Sequence, residues 1–316
     1  MYKQISANKW KSTALIILFV IFVLGLGTAL GAAMGGPDGW YIGIIIAFII
    51  AIIMTLVSYY KSDVIALSVN HARELKEGEY IRYRTAVEGL AIAAGIPTPK
   101  IYVIESRSMN AFATGRNPEH SAVAVTTALL DRLNTQELEG VVAHEISHIK
   151  NYDILLQTIT IVLVGTIILI SDIFLRSFWF RGSSRDSNGG GSLLIIIGII
   201  LAILSPILAQ LIKLAISRKR EYLADASGAL LTRYPPGLAS ALSKLSSDTA
   251  PLETVNGGTA HLFIIEPLWP AGTEKNKKPK KRSSLFSTHP PTEERIAKLQ
   301  EMSVGFQAID SSGNLT

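Results

Sequence analysis

The sequence predicts a mainly α membrane protein: four transmembrane helices in two hairpins, and an α+β domain with a small β-sheet that is split around the second hairpin. Three observations predict it. Hydrophobic residues make up 48% of the 316 positions and charged residues only 17%, and the mean hydropathy is positive, a balance that suits a chain in contact with lipid. Four stretches, near Thr13–Met34, Trp40–Tyr60, Ile154–Leu175 and Leu193–Leu214, have the roughly 20 apolar residues that a membrane-spanning helix needs. Between and after the hairpins the sequence turns amphipathic and polar.

The first two spans are almost free of charge and are separated by the turn-forming run Gly35, Gly36, Pro37, Asp38 and Gly39. The third carries Gln157, Thr158, Thr160 and Asp172, and the fourth Pro206, Gln210 and Lys213. These two also fit a pair of long helices buried in a soluble core, where protein groups satisfy the polar residues. Lys3, Lys9 and Lys11 precede the first span as in a secretory signal, but its apolar stretch is long for one and reads as an uncleaved anchor. Those lysines, and a first loop without positive residues, put the N-terminus and Lys61–Asp153 in the cytosol. The second hairpin then returns Arg218, Lys219 and Arg220 to the same side. Arg176, Arg181 and Arg185 run against this assignment, and a shallow or re-entrant second hairpin would accommodate them. The expected organisation is a membrane hairpin over 1–60, the first part of a catalytic domain over 61–153, a second hairpin over 154–215 and the rest of the domain over 216–316.

Within the polar parts, a helix is expected over Ile65–Ala94, followed by a break at Pro97 and Pro99. Strands follow at Lys100–Glu105, Ser108–Thr114 and Ser121–Thr126. Asn134 with Glu137 three residues later is a capping box, and Leu138, Val141, Val142, Ile146 and Ile149 then recur at helical spacing. Further helices are expected at Ile216–Leu231 and Leu238–Leu245, and a short apolar strand or helix at His261–Ile265. The lysine-rich run Lys275–Arg282 reads as a solvated loop or as an attraction to anionic lipid.

The chain has no cysteine, which excludes disulfides, thiolate metal sites and cysteine nucleophiles together. A metal would have to use His, Asp or Glu. The net charge of +5 comes without the aromatic and basic interleaving of single-strand binders, so no nucleic-acid partner is expected. A cytosolic membrane surface accounts for the charge better.

His144-Glu145-Ile146-Ser147-His148 is the sharpest feature. Helix positions four apart share a face, so two imidazoles can reach one metal while Glu145 faces the attacking water as general base. The alternative is a surface helix with two solvated histidines. Glu221 and Asp225 then offer two acids on one face of a later helix. Glu221 is the expected third ligand, and Asp225 is expected to accept a hydrogen bond from the free ring nitrogen of a ligand histidine. Without the first motif, this pair would read as an exposed face balancing Arg218, Lys219 and Arg220.

The residues resemble the HtpX-type membrane metalloproteases, relatives of the integral-membrane CAAX prenyl endopeptidases. The resemblance rests on Asn110-Ala111-Phe112-Ala113-Thr114-Gly115, on the histidine motif with Asn151 and Asp153, on Arg220-Glu221-Tyr222-Leu223-Ala224-Asp225, and on His289-Pro290-Pro291-Thr292-Glu293-Glu294-Arg295. It implies a zincin-like catalytic domain holding one zinc ion, and an edge strand of Asn110, Ala111, Phe112, Ala113 and Thr114 that pairs with substrate backbone. It also implies places for His289 and Arg295 near the reacting carbonyl. The implied biology is removal of damaged or misfolded membrane proteins at a bacterial inner membrane, with the active site facing the cytoplasm. From the residues alone, His289 before two prolines is also a turn residue, and Arg295 an exposed helical charge. Two other classes fit parts of the pattern: a transporter, or a silent scaffold, each with an incidental histidine motif. Within enzymes, processing of prenylated proteins is the alternative.

Overall fold

The computed structural model describes residues 2–34, 38–163, 165–166, 218–253, 259–267 and 289–312. The fourth expected span, the Lys275–Arg282 run and Arg176, Arg181 and Arg185 lie outside them, and the third span is described only as far as residue 166. The described residues fall into two compact units. One takes those of Met1–Lys9, Asp63–Thr158 and Ile216–Thr316, the other those of Trp10–Ser62 and Ile159–Ala215.

In the second unit, α1 (Tyr2–Met34) and α2 (Gly39–Tyr60) pack glycine against glycine. A side chain on Gly27, Gly31, Gly39 or Gly43 would collide with backbone of the facing helix, so absence of Cβ atoms lets the two helices touch. Both contain a stretch long and apolar enough to cross a membrane, Ile5–Ala32 and Gly39–Tyr60. Ile45, Ile46, Phe48, Ile49 and Ile53 of α2 face outward, as they would toward lipid.

The first unit is α+β. Where one helix is expected over Ile65–Ala94, the structure has α3 (Ser62–Val69), the short strand β1 (Arg73–Glu74) and α4 (Ile81–Ala94). The interruption is local. His71, Gly78 and Tyr80 all have positive φ (52°, 82° and 41°), which a right-handed helix does not tolerate. The freed Leu75 N–H donates to the Ile101 carbonyl at 2.9 Å, drawing the segment onto the sheet.

Strands β2 (Lys100–Ile104), β3 (Ala111–Asn117) and β4 (His120–Thr126) complete a sheet of order β1-β2-β4-β3, in which β2 and β4 run parallel and the other pairs antiparallel. The second strand thus starts three residues later than expected and runs three further, and Asn110 stands just before it. After α5 (Thr127–Arg132), helix α6 (Thr135–Lys150) starts at the expected capping box. The Asn134 side chain accepts from Glu137 N–H, and Glu137 accepts from Asn134 N–H, both at 2.9 Å. Glu137 also accepts from Ser240 and Lys244, tying α6 to the helix over Pro235–Ser247.

Helix α6 is buried almost throughout. Val141, Val142, Ile146 and Ile149 join Val123, Val125, Leu129, Leu133, Leu238 and Leu242 in one core. Tyr152, at φ 59°, turns the chain in the left-handed region, and α7 (Asp153–Leu163) follows. Its first turns belong to this unit. Thr158 is buried there, donating to the Ile154 and Gly115 carbonyls. Helices α8 (Arg218–Thr232), α9 (Pro235–Ser247) and α10 (Thr292–Ser312) complete the unit. The expected apolar segment near His261 is a turn of 3-10 helix, Ala260–Leu262, running into extended backbone.

Candidate metal centre and active site

Helices α6 and α8 bring the predicted ligands together because α8 lies directly on the backbone of α6. Glu221, Asp225 and Gly228 stand at i, i+4 and i+7 and share a face. A Cβ on Gly228 would come within 3.0 Å of the His144 nitrogen and 3.2 Å of Ala143 and His144 backbone carbons. With hydrogen at that position, the helices approach closely enough for Glu221 to reach both histidines. All three ligand candidates are buried, as are Glu145 and Asp225, so the exposed-face reading of Glu221 and Asp225 does not hold.

Four acceptor atoms converge. His144 Nε2 and His148 Nε2 are 3.1 Å apart. Glu221 Oε2 lies 3.8 Å from the first and Oε1 3.6 Å from the second, and one atom from each of the three residues falls within 4.8 Å of the others. The other ring nitrogens face carboxylates: His144 Nδ1 is 2.9 Å from Asp225 Oδ1, and His148 Nδ1 is 3.0 Å from Asp153 Oδ2. The hydrogen bond to Asp153 places a ring proton on His148 Nδ1, and the close approach of His144 Nδ1 to Asp225 favours the same arrangement there, so both Nε2 atoms and the Glu221 oxygens face one buried space. Such a donor set suits a cation. Ligands about 2.0–2.1 Å from a tetrahedral ion stand roughly 3.4 Å apart, which matches the spacings observed. The residues therefore fit a divalent metal.

The buried charges of the cluster shift one another. Burial pushes the Glu145 carboxyl up to about 7, His148 and the Ala113 N–H pulling the other way. Burial alone would lower His148, but its hydrogen bond to Asp153 and the charges of Glu221, Asp153 and Glu145 carry it up to about 9. Glu221 lies well below the usual carboxylate range: His289, His148 and His144 outweigh its burial. Asp225 falls to about 2, because Arg295 overcomes the cost of burying it.

His289 and Arg295 both arrive at the centre. His289 Nδ1 hydrogen bonds to Glu221 Oε2 at 3.0 Å. Arg295 is only 1% exposed, so it is no surface charge. Its Nε and Nη2 donate to the two Asp225 oxygens at 2.9 and 2.8 Å, and Nη1 to the Ile264 carbonyl at 2.9 Å. It stands behind Asp225, which stands behind His144.

Strand β3 is an edge of the sheet, and its outer side is largely taken by the chain itself. The Ile264 N–H donates to the Ala111 carbonyl at 2.9 Å, and the Asn110 amide donates to the Ile265 carbonyl at 3.0 Å. The Ala113 N–H reaches Glu145, and the Gly115 N–H reaches Thr158 Oγ1. Sequence reasoning missed Ile264 here, and it gave no role to Asp153, Gly228 or the buried His261, whose Nε2 is 3.4 Å from the Gln157 carbonyl. Asp153 alone carried a signal: it follows His148 by five residues, one turn past a helix end. A cavity of about 320 Å³ opens beside His289 and Arg295, lined also by Asn110, Asp248 and Ile264.

Comparison with known proteins agrees with this chemistry. The model of peptidase family M48 matches residues 79–303. A protease HtpX homolog of Dictyoglomus turgidum is 50% identical over 256 residues, 81% of each chain. One from Dictyoglomus thermophilum is 46% identical over 312 residues, 99% of this chain and 98% of its own. Among solved structures, that of S. mikatae Ste24p is similar over 95% of this chain and 67% of its own, with a TM-score of 0.47 and 22% identity. With its histidine helix inside the matched region and HtpX proteases similar along almost its whole length, the chain belongs to peptidase family M48, as a membrane-bound metalloprotease of the HtpX type.

Proposed function

We propose that this peptidase is a zinc endopeptidase of a bacterial inner membrane, with its active site on the cytoplasmic side, that hydrolyses misfolded or damaged membrane proteins. One observation carries the zinc reading: two Nε2 lone pairs and a carboxylate converge in a buried pocket beside a glutamate. Zinc, when bound, supplies a Lewis acid for the peptide carbonyl and makes water acidic near neutral pH. His144, His148 and Glu221 would hold it, with Asp225 and Asp153 fixing the imidazole tautomers. Glu145 takes the proton of the attacking water and passes it to the departing amine. His289 is read as a donor to the charge that develops on the carbonyl oxygen. Arg295 adds its charge from behind Asp225.

The edge position of β3 supports substrate pairing along Asn110–Thr114. A peptide that pairs there takes the place held by Ile264 and Ile265. Membrane placement is supported by the two long apolar helices, and the cytoplasmic side by Lys3, Lys9 and Lys11, which come before the uncharged run from residue 13. We read the catalytic domain as split around a second hairpin within 154–215, which makes the chain multi-pass. Reporter fusions after residue 60 and within 181–191 test this arrangement, and equal signals on both sides of the membrane refute it.

The chemical test is Glu145→Gln in purified protein with an unfolded polypeptide substrate. Turnover is expected to fall by at least about 10²–10⁴-fold with zinc content unchanged. Retained turnover refutes Glu145 as the base. Glu221→Gln is expected to lower zinc content, and full stoichiometry would move the third ligand elsewhere.

A further inference from the structure

Asp153, which holds His148 by its Nδ1, is itself held from the far end of the sequence. Asn8, in the second turn of α1, is 4% exposed. Its amide nitrogen donates to Asp153 Oδ1 at 2.7 Å and to the Asn151 carbonyl at 3.0 Å. The opposite amide orientation would set an oxygen against a carboxylate and a carbonyl, so these partners fix which atom is nitrogen. The two bonds fork across the left-handed turn at Tyr152, the turn that folds Asp153 back beneath His148. Among the described residues, Arg220 is also near Asp153 Oδ1, with its Nε 3.9 Å away, beyond hydrogen-bond distance.

We propose that Asn8 is a positioning residue of the metal centre, orienting the Asp153 carboxylate so that it keeps His148 Nδ1 protonated and His148 Nε2 aimed at the ion. The proposal rests on the zinc reading above. It makes the start of the first apolar helix part of the metal site: residues 2–9 belong to the catalytic unit, and they overlap the beginning of the candidate membrane span Ile5–Ala32. No charge is needed at Asn8. A neutral double donor adds no repulsion to the carboxylate and satisfies two buried acceptors at once.

The test uses the full chain in detergent, loaded with zinc and challenged with a chromogenic chelator. Partners behind a ligand histidine typically change metal affinity 10–100-fold, so Asn8→Ala is expected to speed zinc loss by about tenfold, and Asn8→Asp by more, since it faces Asp153 with a like charge. In an Asp153→Asn background, Asn8→Ala is expected to add little, because it acts through that carboxylate. Lys9→Ala removes a neighbouring contact, Nζ 4.3 Å from the Tyr152 ring centre, and is expected to release zinc like the wild type. Unchanged loss in Asn8→Ala, full additivity with Asp153→Asn, or an equal effect of Lys9→Ala overturns the proposal. Should Asn8→Ala not fold, Asn8→Ser carries the test, and a wild-type rate there overturns it. A wild-type chain that binds no zinc would overturn the metal reading as well; wild-type binding with unchanged loss in the variants overturns this inference alone.

Discussion

Replacing Arg295 with methionine removes a guanidinium that makes three hydrogen bonds, two to Asp225 at 2.9 and 2.8 Å and one to the Ile264 carbonyl at 2.9 Å, and leaves the Asp225 carboxylate buried without its counter-charge. The magnitude follows from the pair itself. Asp225 is drawn from the ordinary 3.8 down to about 2, against the opposing effect of burial, and at about 1.36 kcal/mol per unit this is worth roughly 2 kcal/mol. That is a floor, since the Ile264 bond is also lost and breaking one side of a buried pair typically costs about 3–5 kcal/mol. Domains of roughly 150–250 residues lose about 2–4 °C of Tm per kcal/mol, so a fall of about 6–20 °C is expected. The sign with pH is fixed too: a depressed carboxylate stabilises the fold above its unfolded value and ceases to as pH falls through about 2. Circular dichroism melts of Arg295→Met, Asp225→Asn and the double variant are the assay. The double variant should recover part of the loss, because no uncompensated charge remains. A single variant melting within about 2 °C of wild type, or a double variant no better than Arg295→Met, refutes the reasoning.

Two further outcomes follow from the site. Against the cost of burial, Asp153 and Glu221 carry His148 up to about 9, so an ion held as proposed would compete with a proton there, and apparent zinc affinity is expected to weaken about tenfold per pH unit below that value; chelator competition at two pH values measures it, and a flat profile refutes it. Gly228→Val inserts a branched side chain where a Cβ alone would come within 3.0 Å of the His144 nitrogen, which lifts α8 from α6. Bound zinc should then fall by at least about tenfold while the α6 capping box is untouched, and metal analysis of the folded variant decides.

The parts of this molecule legible in its sequence are those set by local periodicity. His144, Glu145 and His148 share a helical face by spacing alone, the Asn134 and Glu137 box marks where that helix begins, and Glu221 and Asp225 announce themselves by their own four-residue repeat. Illegible were relations that depend on which surfaces meet. Asn8 is separated from Asp153 by 145 positions, and nothing in its own neighbourhood marks it. Gly228 gains meaning only once α8 is known to lie on His144. The expected helix over Ile65–Ala94 failed because His71 and Tyr80 occupy left-handed conformations that apolar periodicity does not report. The occupied edge of β3 depends on Ile264, remote in sequence and without a motif. Arg295 and His289 were reached through resemblance; their partners, Asp225 and Glu221, came from geometry.

Glu221 lies 73 residues beyond His148, so an ion held by both would clasp two helices that are remote in the chain. The interval is not a slack tether, because it carries Asp153, which holds His148, and the buried first turns of α7. What holds the clasp shut is the fit of Gly228 against His144, where even one methyl group would intrude.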